Sequence, residues 1–211
     1  MPDNLPVTPG TGTQVATDEI GGIHFQRVKL TTGVDGTATD VSASNPAPVV
    51  AGGYVVNPTA SFTRPADTAP YAAGDLVANS TTAGSVTSLS LAAARLAAGS
   101  FHVTRVKLRK SGLVREGALF RVHFYSAAPT FANGDNGAFS TSGADTYLGF
   151  ADVALDIAFT DGVVGFGMIQ HNGIAQKLAS GQAVFALIEA RAAYIPANAE
   201  TFRVDLDVSQ D

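Results

Sequence analysis

Residues 201–208, TFRVDLDV, decide how the chain is read: Phe202, Val204, Leu206 and Val208 alternate with Arg203, Asp205 and Asp207. Successive side chains of an extended strand point to opposite faces, so a period of two describes a strand with one face in a core and the other in water. Similar segments recur between Gly, Pro, Asn and Asp turns through roughly the last 150 residues. The spacing predicts strands near 54–63, 75–79, 85–91, 101–110, 117–125, 147–153, 163–169, 183–191 and 201–209. Residues 91–98, LAAARLAA, favour helix by composition but are too few to hold one without packing, and read as one helical turn between strands. The expected fold is all-β, an antiparallel β-sandwich.

Some strands are apolar beyond one face. In residues 118–125, Phe120, Val122 and Phe124 share one side, while Leu119, Arg121, His123 and Tyr125 make the other amphipathic rather than plainly wet. Residues 183–191, AVFALIEAR, are apolar on both faces as far as Glu189, the pattern of a central strand covered on both sides. The expected cover is an N-terminal arm or another subunit. Residues 129–145, PTFANGDNGAFSTSGAD, are too long for a tight hairpin and read as a surface loop available for contact.

The first 17 residues are rich in Pro, Thr and Gly, with too few large apolar groups to offset the entropy of ordering. They read as an extended arm that orders against something else. Residues 23–30 predict one short strand, 31–36 a turn, and 42–53 an extended linker in which Pro46 and Pro48 lack backbone donors. The expected organisation is an N-terminal arm, strand and linker over 1–53 and a β-sandwich over 54–211.

The 211 residues suffice for one such domain and its appendage. Charged residues are only 15% of the chain, against about 25% in a typical soluble domain, so part of the weakly charged surface is expected to be covered by a partner. A net charge of -5 argues against a broad basic footprint for nucleic acid or anionic lipid. Neither a secretory leader nor a membrane-spanning run is read from the sequence. With no cysteine there is neither a disulfide nor a thiolate metal site. Phe is present 12 times and Trp not at all, which suits a dry core better than a sugar-binding platform.

Candidate chemistry is sparse. Asn133, Asp135 and Asn136 are oxygen ligands at close spacing but lack the acidic positions of a calcium loop, and read as turn chemistry. His24, His102, His123 and His171 show no ligand spacing on one element, although His102 and His123 are candidates to meet across a strand pair. Asp152, Asp156 and Asp161 cluster in sequence in the manner of a glycosidase pair, but fit solvated loop and strand positions. No catalytic residue, metal or cofactor is expected. Arg105, Lys107, Arg109, Lys110 and Arg115 gather 5 of the 13 Lys and Arg residues. On a strand Arg105, Lys107 and Arg109 would form a basic stripe, either for docking on an acidic partner or as a solvated flank.

Residues 17–49, TDEIGGIHFQRVKLTTGVDGTATDVSASNPAPV, resemble a segment common in structural proteins of tailed bacteriophages, in which DEIGG precedes a QRVK strand, a Gly and Asp turn and a VSASNPLPV-like ending. Residues 18–22, 26–29 and 41–46 match closely, whereas Ala47 stands where a larger apolar residue is usual. Residues 61–80, 108–112, 132–149 and 178–211 are similar to phage proteins as well, so the likeness extends over most of the chain. It implies an auxiliary virion component, a capsid decoration or cement protein with a jelly-roll-like sandwich. The implied partners are the major capsid protein and further copies of the chain, as dimer or trimer, with no nucleic acid and no membrane. The implied location is the capsid surface of the virion, after synthesis in the host cytoplasm. Ile20, Ile23, Phe25, Val28 and Leu30 are the expected capsid or intersubunit contacts. The alternative is a tail, baseplate or fibre-associated adaptor or receptor-binding module.

Overall fold

A computed structural model describes residues 17–26, 31–32, 39–40, 44, 54–170 and 173–210. The chain divides into two units, Met1–Val50 and Ala51–Asp211. In the first, β1 (Thr17–Ile20) and β2 (Ile23–Gln26) pair antiparallel, with Ile20 opposite Ile23. Gly21 and Gly22 link them at φ +60° and +81°, the left-handed conformation at both central positions that a two-residue hairpin turn demands. The DEIGG sequence therefore supplies a strand and turn not expected from the sequence, while β2 holds the first half of the strand expected over 23–30, of which residues 27–30 lie outside the described residues. Next, β3 (Thr31–Thr32) pairs with β4 (Thr39–Asp40). The extended arm expected over residues 1–17 lies outside the described residues apart from Thr17, which opens β1, as does the 42–53 linker apart from Ser44.

The second unit is built from two antiparallel sheets. One contains β7 (Leu76–Val77), β8 (Leu89–Ala92), β10 (Leu119–Tyr125), β11 (Tyr147–Ala154) and β15 (Ala183–Ala190), in the order β11-β10-β15, with β7 and β8 each pairing part of β15. The other contains β5 (Tyr54–Val56), β6 (Thr59–Thr63), β9 (Ser100–Lys110), β12 (Ile157–Phe159), β13 (Gly162–Met168), β14 (Ile174–Lys177) and β16 (Thr201–Gln210). Its order is β12-β13-β9-β16-β5, with β14 continuing β13 along β9 and β6 continuing β5 along β16. Pro58, which has no N–H, sits at the break between β5 and β6 on this edge.

Counting each broken strand as one position leaves eight positions in chain order. They are arranged 2-7-4-5 in one sheet and 1-8-3-6 in the other, the arrangement of a jelly roll, with β12 added outside the sixth. Sheet membership alternates along the chain except at the fourth and fifth positions, β10 and β11, which follow one another and pair directly within one layer.

The core lies between the layers. Phe202, Val204, Leu206 and Val208 of β16 are at most 1% exposed, while Arg203, Asp205 and Asp207 project outward, as the period of two predicts. Phe120 meets Phe202 edge to face at 5.3 Å, joining the two layers. On β13 the core-facing positions 165 and 167 are glycines, because β11 crosses immediately beneath them. A Cβ at Gly165 would lie 2.0 Å from the Ala154 carbonyl oxygen, and one at Gly167 2.6 Å from that of Asp152.

Two expectations require correction. Residues 91–98 form no helical turn, since Leu91 and Ala92 are committed to β8 opposite Val184 and Ala183, and burial of Leu91, Ala93 and Ala94 holds the chain extended. On the outer face of β10 and β15, where an arm or another subunit is expected from the sequence, lies the chain's own 126–146 loop. Phe131 and Phe139 pack with Leu76, Ala78 and Val86 in a second, smaller cluster, and Phe139 stacks on His123 at 4.3 Å.

Candidate functional site

The five expected contact residues all fall in the first unit. Ile20 ends β1 and Ile23 opens β2, where Ile23 is 55% exposed. Phe25 lies in β2, and Val28 and Leu30 lie outside the described residues.

Arg105, Lys107 and Arg109 do share one face of β9, opposite the buried Val106 and Leu108. Sequence alone leaves out their partners. Register sets Asp207 across from Arg105 and Asp205 across from Lys107, giving ion pairs of 2.5 and 3.4 Å, while Arg109 reaches Asp161 at 2.8 Å. Burial works against ionisation of Asp205, yet hydrogen bonds from Thr59 and Arg203, with the charges of Arg203 and Lys107, hold its carboxyl below the ordinary range. The stripe is thus a ladder of alternating charge, and pairs this exposed are worth about 0–1 kcal/mol each.

Beside the ladder the same face turns apolar. Val164, Phe166 and Met168 of β13 stand opposite Arg109, Lys107 and Arg105, and Arg105 lies over the Phe166 ring at 5.0 Å. Phe166 and Met168 are exposed, as are all three residues of β12. This flank is the candidate docking face, and neither β12 nor its exposure is predicted by the patterning of residues 147–169.

A second candidate lies under the 126–146 loop on the other sheet. His123 of β10 stands between Glu189 of β15, at 2.9 Å from Nε2, and the Tyr147 hydroxyl of β11, at 3.1 Å from Nδ1. Arg191 also donates to Glu189, at 2.7 Å, and Arg121 holds Asp152 through two bonds of 2.7 and 2.9 Å while lying 3.8 Å over Phe150. Burial dominates at His123 and pushes it below its ordinary value, against the bond and charge of Glu189. Burial likewise pushes the Tyr147 phenol up to about 12, so near neutral pH it keeps its proton and donates it to a neutral imidazole. The chain Tyr147, His123, Glu189 works as a clasp, tying the end of the loop to the sheet beneath it.

Two buried ion pairs complete the polar interior. Asp135 accepts from Arg64 at 2.9 Å, from the Tyr71 hydroxyl at 2.6 Å and from the Ala78 N–H at 2.7 Å, while Arg64 also donates to Tyr71. Asp135 therefore anchors its turn to residues far away in sequence, and Asn136 beside it adopts φ +62°. In the second pair Lys110 meets Glu200 at 3.1 Å and Tyr194 donates to the same carboxylate at 2.6 Å. The rings of Tyr71 and Tyr194 stack at 6.3 Å, setting the two pairs back to back.

Remaining candidates disperse. His102 is on β9 and His123 on β10, in different sheets, so they do not meet across a pair. Asp152 and Asp161 are held by different arginines, and the Asp156 carbonyl faces Arg115 at 3.4 Å. Among the described residues no group of three or more His, Cys, Asp or Glu converges as a metal site, and no helix is long and apolar enough to cross a membrane. Comparison with protein-family models, curated proteins and solved structures finds no match.

Proposed function

We propose that this is a structural virion protein of a tailed bacteriophage, which decorates and stabilises the capsid by binding across neighbouring major capsid subunits. What carries the reading is the phage-like segment 17–49, contained in a unit separate from the sandwich. The segment supplies a contact device and the jelly roll a rigid body. Stiffness suits the role: among the described residues no buried side-chain nitrogen or oxygen lacks a hydrogen-bond partner. An N-terminal segment of about 20 residues laid across a shell would remove on the order of 1,000 Å² from water, the scale of a specific interface.

Deleting residues 1–30 tests the proposal. The truncated protein is expected to keep its β-rich circular dichroism and its melting temperature while losing co-sedimentation with capsids. Full occupancy of particles by the truncated protein would contradict it. Counting copies per virion separates the readings, since a stoichiometry near that of the capsid subunits supports decoration and a handful per particle supports the tail adaptor.

A further inference from the structure

We propose that β12 is a homodimer seam, at which a second copy of the chain pairs antiparallel through its own β12 about a two-fold axis at Ala158. Among the described residues β12 pairs only with β13 and ends the seven-stranded sheet, leaving its outer edge without a neighbour. Sheet edges are commonly guarded by Lys, Pro, a bulge or an inward charge. Ile157, Ala158 and Phe159 include no such guard, and all three are exposed.

Self-pairing suits these side chains. In a register centred on Ala158, Ile157 faces Phe159 of the second copy twice by symmetry, and an aromatic against a β-branched residue is among the favourable cross-strand pairs. Both project on the outer face of the joined sheet, where Val164 stands across from Ile157 and the same face of β13 continues through Phe166 and then Met168. The four are 43%, 56%, 47% and 66% exposed for Ile157, Phe159, Phe166 and Met168. At ~150–250 Å² for each large side chain they offer about 400 Å² of apolar surface, inside the ~300–600 Å² of the largest patch on an ordinary monomer, a patch that is often functional.

Charge and shape agree with the same register. It places Asp161 of the second copy opposite Leu155, beside a depression of about 330 Å³ lined by Arg115, Leu119, Leu155 and Asp156. The second copy's Thr160 and Asp161 turn enters that depression, its carboxylate directed at Arg115. Asp161 is free to serve there because its side chain is 75% exposed even while it holds Arg109. This inference is independent of the decoration proposal, since dimerisation is read without any particle present.

The experiment uses the full chain, which has no cysteine of its own. Across the seam the two Ala158 Cα atoms would stand about 4.5–5.5 Å apart, inside the range a disulfide bridges. Ala158→Cys oxidised with diamide is expected to run as a covalent dimer on a non-reducing gel, whereas Ser61→Cys, on β6 at the opposite edge, stays monomeric. By sedimentation equilibrium the unmodified protein is expected to be a dimer and Phe159→Lys a monomer with the same circular dichroism. A wild-type monomer at every concentration, a trimer, a dimer that survives Phe159→Lys, or Ala158→Cys linking no faster than Ser61→Cys would overturn the proposal.

Discussion

Removing the Glu200 carboxylate tests the buried interior most severely. Both Lys110 and Glu200 have fully buried side chains, and the Glu200→Ala chain leaves the Lys110 ammonium with the Gly112 carbonyl at 2.9 Å and the face of the Tyr194 ring at 5.0 Å. It also deprives the buried Tyr194 hydroxyl of its acceptor. Breaking one side of such a pair costs about 3–5 kcal/mol, because the surviving charge is left in a medium that solvates it poorly. Burial already pushes Lys110 below its ordinary value, with Glu200 opposing. Without Glu200 the amine sheds its proton more readily, so the cost shrinks as pH rises. The double variant Lys110→Met with Glu200→Leu removes both charges and leaves chiefly the Tyr194 hydroxyl unsatisfied, about 1–3 kcal/mol. Urea unfolding followed by far-ultraviolet circular dichroism measures each free energy. At about 2–4 °C per kcal/mol for a unit of this size, Glu200→Ala lowers the melting temperature by roughly 6–20 °C. A Glu200→Ala cost below about 1 kcal/mol, or strictly additive effects in the cycle of wild type, Lys110→Met, Glu200→Leu and their double variant, would show that the two groups do not depend on each other.

Two further outcomes follow from the sandwich. Gly165→Ala pushes a methyl against the Ala154 carbonyl and must part β13 from β11, costing about 1–3 kcal/mol; an unchanged melting temperature would show that the layers are not in such close contact. For His123 the folded value lies below the unfolded ~6.5, so its contribution is fully present above pH 6.5 and is lost as pH falls through the folded value. Thermal melts from pH 7.5 to 5 are expected to lose this component in His123→Gln, and an identical pH profile in the variant would remove the clasp from the account.

Regions that alternate strictly were legible because the signal is local. The inward positions of β16 and the shared face of Phe120, Val122 and Phe124 follow from side chains two residues apart pointing the same way. Short or interrupted strands were not: β12 has three residues and β14 four, too few for a period to declare itself. The 91–98 segment misleads for a related reason. Its Ala and Leu content describes an isolated peptide, and pairing with β15 overrides that preference.

The strand-rich class, the buried face of each regular strand, the apolar double face of β15 and the Arg105, Lys107 and Arg109 alignment are thus written in local pattern. Tertiary structure decided what meets those faces. The carboxylates that turn the basic stripe into a ladder stand across a strand pair at Asp205 and Asp207, and the loop that covers β15 is the chain's own. Asp135 looks like turn chemistry until Arg64, 71 residues away, is folded against it, and Lys110 finds Glu200 only after 90. A side-chain period is a property of neighbours along the chain, whereas a charge partner is chosen by strand order and register, which arise only when the two layers close.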